Sequence, residues 1–112
     1  MAHLRGEFAF VLYDVKRRLL FAARDRFGIK PLYYTVSNGC ILFANEMKAF
    51  MGLGWQAEWD IDSIVHNADF GDERTVFKGA RKVRTYRAAQ ETKFNHVNAV
   101  ACGLLCCLSS LR

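Results

Sequence analysis

Through the first 44 positions, apolar and polar residues come in short blocks with no helical period, and the blocks read as strands. Phe8-Ala9-Phe10-Val11-Leu12-Tyr13 is a continuous apolar run, the pattern of a strand covered on both faces. Asp14-Val15-Lys16-Arg17-Arg18 interrupts it as a polar turn, and residues 19–23 return as the second arm of a hairpin. Leu32-Tyr33-Tyr34-Thr35-Val36 reads as a third strand. Ser37-Asn38-Gly39 follows it, and Asn-Gly marks a tight hairpin because both residues tolerate positive φ. Cys40-Ile41-Leu42-Phe43-Ala44 completes four strands, expected to meander.

The pattern then changes. Asn45 is placed to cap a helix over residues 46–51, with Gly52 and Gly54 ending it. Asp60 is placed to cap a second, short helix carrying Ile61, Ile64 and Val65. Residues 70–74 read as a loop and Thr75-Val76-Phe77 as a brief strand. Beyond Val83 the pattern decays into a polar stretch and an apolar end rich in small and sulfur-bearing residues.

Composition narrows the options. The 112 residues allow one small domain, and 52% apolar with 13% aromatic content is that of a chain that buries a core. The net charge of +5 is uneven: residues 1–60 carry eight Lys/Arg against six Asp/Glu, whereas residues 72–94 carry seven against three. That stripe reads as a solvated face, since no nucleic-acid motif accompanies it; a nucleic-acid binder would need salt-dependent binding there. No signal peptide is evident, and the longest apolar stretch, residues 99–108, is about half the roughly 20 residues of a membrane helix. Cys40, Cys102, Cys106 and Cys107 form no disulfide framework and, with His3, His66 and His96 scattered, no zinc spacing. Cys102, Cys106 and Cys107 also admit a soft-metal or palmitoylation reading, weaker than that of an untemplated tail. No metal and no membrane contact are expected, and the setting is taken as reduced and cytoplasmic.

One run stands apart. Arg24-Asp25-Arg26-Phe27-Gly28-Ile29-Lys30-Pro31-Leu32-Tyr33-Tyr34 holds the sole proline of the chain between two apolar segments. Gly permits backbone conformations barred to most residues, and Pro fixes φ ahead of an aromatic strand. The run resembles the Arg-Asp-x-x-Gly-x-x-Pro-Leu-Tyr-Tyr signature of class II glutamine amidotransferases, above all glutamine-hydrolysing asparagine synthetases. Leu4-Arg5-Gly6-Glu7-Phe8-Ala9-Phe10, Tyr13-Asp14, Leu42-Phe43-Ala44-Asn45-Glu46-Met47-Lys48-Ala49 and Val76-Phe77-Lys78-Gly79-Ala80-Arg81-Lys82-Val83 extend the resemblance in order over residues 4–83.

The resemblance implies an α+β fold: part of an N-terminal-nucleophile hydrolase α/β/β/α sandwich, with antiparallel sheets and short helices. Residues 1–83 are expected to be the C-terminal half of such a glutaminase domain, and residues 84–112 a poorly ordered, unrelated tail from a shifted frame or unspliced intron. The family's nucleophile is a cysteine exposed on removal of Met, its own α-amino group acting as base, with donors for the oxyanion. Residue 2 here is Ala2, so no catalytic residue is carried over. Asn38-Gly39 is not the family's oxyanion pair, lacking the Glu-x-Tyr-Asn that should follow. Arg24, Asp25, Gly28, Pro31, Tyr33, Glu46 and Lys48 carry over as a structural signature, and Ile29, Lys30 and Pro31 as lining of the ammonia path. Glutamine is a ligand of the parent domain only. ATP and magnesium belong to the separate synthetase domain, so no cofactor is expected in this chain.

The chain is therefore expected to be an inactive piece of an asparagine synthetase glutaminase domain, whose parent reaction supplies ammonia for ATP-dependent amidation of aspartate. Two alternatives stand beside it: a piece of another class II amidotransferase, and a non-catalytic interaction module that self-associates through exposed sheet edges. Arg24, Asp25 and Arg26 are expected to form an ion-pair network that locks the loop. Glu46 and Lys48 are read as anchoring, and Trp55 and Trp59 as core or interface anchors.

Overall fold

The computed structural model describes residues 6–17, 19–66, 73–85 and, as backbone only, 98–101. Among the described residues six strands form: β1 (Ala9–Asp14), β2 (Leu19–Arg24), β3 (Tyr33–Ser37), β4 (Cys40–Ala44), β5 (Ala80–Lys82) and β6 (Asn98–Ala101). Two short helices, α1 (Lys48–Met51) and α2 (Ile61–His66), lie among the described residues between β4 and β5.

The four expected strands do not meander in one sheet. They make two hairpins in separate sheets, β1-β2 and β5-β3-β4-β6. Apolar residues on one face of each explain the split. Val11 and Leu20 from the first sheet meet Ile41 and Phe43 from the second, with Leu32 between them, in one buried cluster. Tyr34 lies opposite Phe43 on the same face and also packs here. The pleat sends Leu42 and Ala44 to the other face, where they pack on Phe50 of α1. Three layers result: sheet, sheet, helix. The first strand is less covered than its apolar run suggests, since Val11 alone among its residues is buried. Phe10 instead meets Phe8 and Phe21 ring to ring.

The larger sheet is mixed. β3 pairs antiparallel with β4 and β5, whereas β4 pairs parallel with β6, so the expectation of antiparallel sheets is corrected at that edge. The Asn38-Gly39 turn forms as the sequence suggests, with φ of 52° and 72°. Asn45 does not cap α1: the helix starts later, behind Met47, which makes no side-chain cap bond. Asp60 does cap α2, accepting from the Ser63 amide at 3.2 Å and the Ser63 hydroxyl at 2.8 Å. Thr75-Val76-Phe77 is not a strand. Only isolated bridges form at Arg74 and Phe77, because Thr75 turns inward, its hydroxyl 2.8 Å from the Ala80 carbonyl and accepting from the Phe77 amide.

The expected tail over 84–112 falls mostly outside the described residues; Arg84, Thr85 and β6 are the described part of it. His3, His96, Cys102, Cys106 and Cys107 lie outside them as well. Among the described residues no helix is long and apolar enough to cross a membrane, and no group of His, Cys, Asp and Glu could hold a metal ion.

Candidate functional site

The signature run forms the connection between the two sheets, leaving β2 at Arg24 and entering β3 at Tyr33. Its ends are pinned to the fold. The Asp25 amide donates to the Phe8 carbonyl at 2.7 Å, Arg24 bridges to Thr85, and the Leu32 carbonyl accepts from the Val83 amide at 2.8 Å.

Asp25 organises what lies between. It is 1% exposed, and no ion pair to Arg24 or Arg26 forms among the described residues. Its carboxylate instead accepts backbone amides: Phe27 at 3.0 Å and Ile29 at 3.1 Å on Oδ1, Lys30 at 3.0 Å on Oδ2. The expected ion-pair network is thus replaced by a cradle of N–H groups. A short Asp side chain in a tight loop reaches amides two to five residues ahead more readily than a neighbouring guanidinium reaches back. Burial pushes this carboxyl up, but the amides of Lys30, Ile29, Phe27 and Gly28 together outweigh burial and hold it below its ordinary value.

The two arginines have other work. Arg24 Nη2 donates to the Gly28 carbonyl at 2.9 Å, while its buried Nε has no partner among the described residues. Arg26 is exposed and lies over the Phe27 ring, 5.9 Å from its centroid. Gly28 is required twice. Its φ is +66°, and a Cβ there would stand 1.8 Å from Arg24 Nη2 and 3.0 Å from Thr85 Cγ2. Gly28→Ala should therefore lower stability by about 2 kcal/mol, read by urea denaturation, with no change expected in the strand content seen by circular dichroism.

The remaining signature residues do not converge on one point. Pro31 is exposed beside buried Leu32. Tyr33 turns to the helix layer, where it packs on the Leu42–Phe50 cluster. Glu46 and Lys48 form an exposed ion pair of 2.7 Å at the start of α1. Ile29 and Lys30 are exposed, and Lys30 Nζ pairs with Glu7 Oε2 at 3.5 Å. Sequence reading passed over Thr35. It is buried, and its hydroxyl donates to the Gly79 carbonyl at 2.9 Å, tying β3 to the turn before β5. Thr35→Val should weaken the fold by about 1 kcal/mol, measurable as a lower denaturation midpoint at an unchanged slope.

Chemically, the loop is a fixed backbone with no paired nucleophile and base. Asp25, held below its ordinary value, spends its carboxylate on the loop amides. Cys40, the one thiol among the described residues, packs on the α1 face of β4.

Against this geometry, comparison with known proteins is decisive for class. Residues 1–100 match the family model described as a glutamine amidotransferase domain. The chain is 52% identical over 83 residues to the amidase chyE of Penicillium rubens, covering 74% of this chain and 12% of that protein. It is 50% identical over 84 residues to the amidase chry2 of Gibberella zeae, covering 75% and 12%. The glutamine-hydrolysing asparagine synthetase 3 of Bacillus subtilis is 40% identical over 96 residues, covering 81% and 16%. No solved structure matches.

The chain belongs to the glutamine amidotransferase domain family and is homologous to the glutaminase domain of asparagine synthetases. It spans about an eighth of the length of the first relatives it matches.

Proposed function

We propose that this chain supplies framework rather than chemistry to a glutamine amidotransferase domain of the N-terminal-nucleophile hydrolase type, in which glutamine is hydrolysed and its amide nitrogen passed on as ammonia. The observation that carries this reading is the Asp25 cradle: the family signature is spent on holding a loop backbone, with the buried carboxylate bonded to three amides and not aimed at a substrate. Exposed Ile29, Lys30 and Pro31, on that fixed backbone, are the residues proposed to border an ammonia path.

The chemistry itself requires a thiolate beside a base and donors for an oxyanion. Cys40 does not meet that need, since it packs among Leu42, Ala44 and Phe50. By itself the chain is therefore proposed to be inactive, within an asparagine synthetase-like parent reaction. A second reading concerns the acceptor: the identities of 52% and 50% to proteins named amidases favour an acceptor other than aspartate. Glutamate release from glutamine by the purified chain tests the main reading. None above the buffer rate is expected, and release at a rate proportional to protein would overturn it.

A further inference from the structure

Of the five asparagines in the chain, Asn38 alone is followed by glycine. The pair forms the two-residue turn between β3 and β4, and the ladder closes behind it at Ser37 and Cys40. Both turn residues are exposed. A Cβ built on Gly39 would meet nothing within 4 Å among the described residues, so the space around this glycine is open. Gly39 also has no side chain of its own to shield its nitrogen.

A carboxamide one residue ahead of such a nitrogen is a reactive pair. The Gly39 nitrogen adds to Asn38 Cγ and forms a C–N bond. The side-chain nitrogen leaves as ammonia, carrying the proton lost from the Gly39 amide. The resulting five-membered succinimide then takes up water, the sole co-reactant. Breaking the new bond to Cγ leaves aspartate at position 38. Breaking the older bond, between the Gly39 nitrogen and the Asn38 carbonyl carbon, leaves isoaspartate, whose main chain runs through the side-chain carbons.

The fold governs both the rate and the consequence. Asn38 and Gly39 have φ of 52° and 72°. The left-handed region pairs such φ with a ψ of about +47°, whereas the succinimide ring needs the Asn38 ψ rotated well away from it. The ring therefore closes from the opened turn, and local opening limits the reaction. Directly behind the turn, Ile41, Leu42, Phe43 and Ala44 are 0%, 4%, 3% and 2% exposed. They pack into the two-sheet cluster on one face and against Phe50 on the other. Turn length sets their register against β3. Aspartate keeps that length and tolerates the left-handed φ. Isoaspartate adds a backbone carbon to a turn with no residue to spare.

We propose that Asn38 is a self-modification site, at which succinimide formation through the opened turn yields isoaspartate and uncouples the β3-β4 hairpin. The full chain, held at mildly alkaline pH and mapped by mass spectrometry, tests this. Conversion should appear at Asn38 ahead of the other four asparagines. It should run about tenfold slower or more in the native chain than in urea-unfolded chain, the factor that about 1.4 kcal/mol of turn opening gives. The isoaspartyl form, isolated by chromatography, should unfold at a lower urea midpoint than freshly made Asn38→Asp, which adds the same charge without the extra carbon. No conversion at Asn38, or conversion first at another asparagine, overturns the proposal. So does a native rate equal to the unfolded rate, or an isoaspartyl chain as stable as Asn38→Asp.

Discussion

Asp25→Ala should lower the stability of the chain by about 3–4 kcal/mol. The substitution removes the acceptor of three amides at once, those of Phe27, Ile29 and Lys30. Hydrogen bonds to an ionised partner are each worth about 1.5–3 kcal/mol, and their losses overlap because one side chain makes all three. For a domain of this size the melting temperature should fall by more than about 10 °C. The pH dependence has a definite sign. The folded-state value lies below the unfolded carboxyl value of 3.8, so the stabilisation is complete above 3.8 and is lost as pH falls below it. Asp60, also held low, by its side-chain and backbone bonds to Ser63, adds to the same acid limb. Asp25→Asn should therefore flatten, without abolishing, the acid decline of urea-measured stability. An acid limb as steep as in the unaltered chain would remove Asp25 from the account.

Phe50→Ala should cost about 3–5 kcal/mol, the range for deleting a large ring from a closed site. Phe50 is fully buried, under Leu42 and Ala44 of β4. It is also the inner end of an aromatic ladder: its ring meets Trp55 edge-on at 5.8 Å, Trp55 meets Phe77 edge-on at 5.9 Å, and Phe77 stacks on Trp59. Those contacts hold the helical segment against the sheet and join it to the turn ahead of β5. Removing the ring leaves a cavity and frees Trp55, so two readouts should move together. The denaturation midpoint should drop, and tryptophan emission of the native state should shift to the red. A lower midpoint with unchanged emission would mean that Trp55 is held by something other than Phe50.

Much of this architecture is legible in the chain. Apolar blocks and the Asn38-Gly39 turn locate the first four strands, because a buried strand must be apolar and a two-residue turn needs positive φ. β5 escapes that reading because it is an edge strand of three residues, two of them Arg81 and Lys82. β6 escapes because its parallel pairing with β4 joins residues more than fifty positions apart, and no local pattern encodes such a partner. The division into two sheets depends on which faces bury each other, a tertiary choice.

The site was half legible. Gly28 and Pro31 mark a special backbone, but two flanking arginines suggest ion pairs, and only the folded loop shows Asp25 turned to amides instead. The spacing of Ile61, Ile64 and Val65 along α2 is visible in the chain, yet spacing cannot say that all three side chains are exposed.

A domain exchange tests the framework role most directly. The homologous stretch of the Bacillus subtilis asparagine synthetase 3 is replaced by residues 6–85 of this chain, and glutamine-dependent product formation is compared with ammonia-dependent formation in the same hybrid. If these residues supply framework, both activities persist, and Asp25→Ala within the hybrid lowers its melting temperature and its glutamine-dependent activity together. A stably folded hybrid that retains ammonia-dependent synthesis but has lost all glutamine-dependent synthesis would contradict the account.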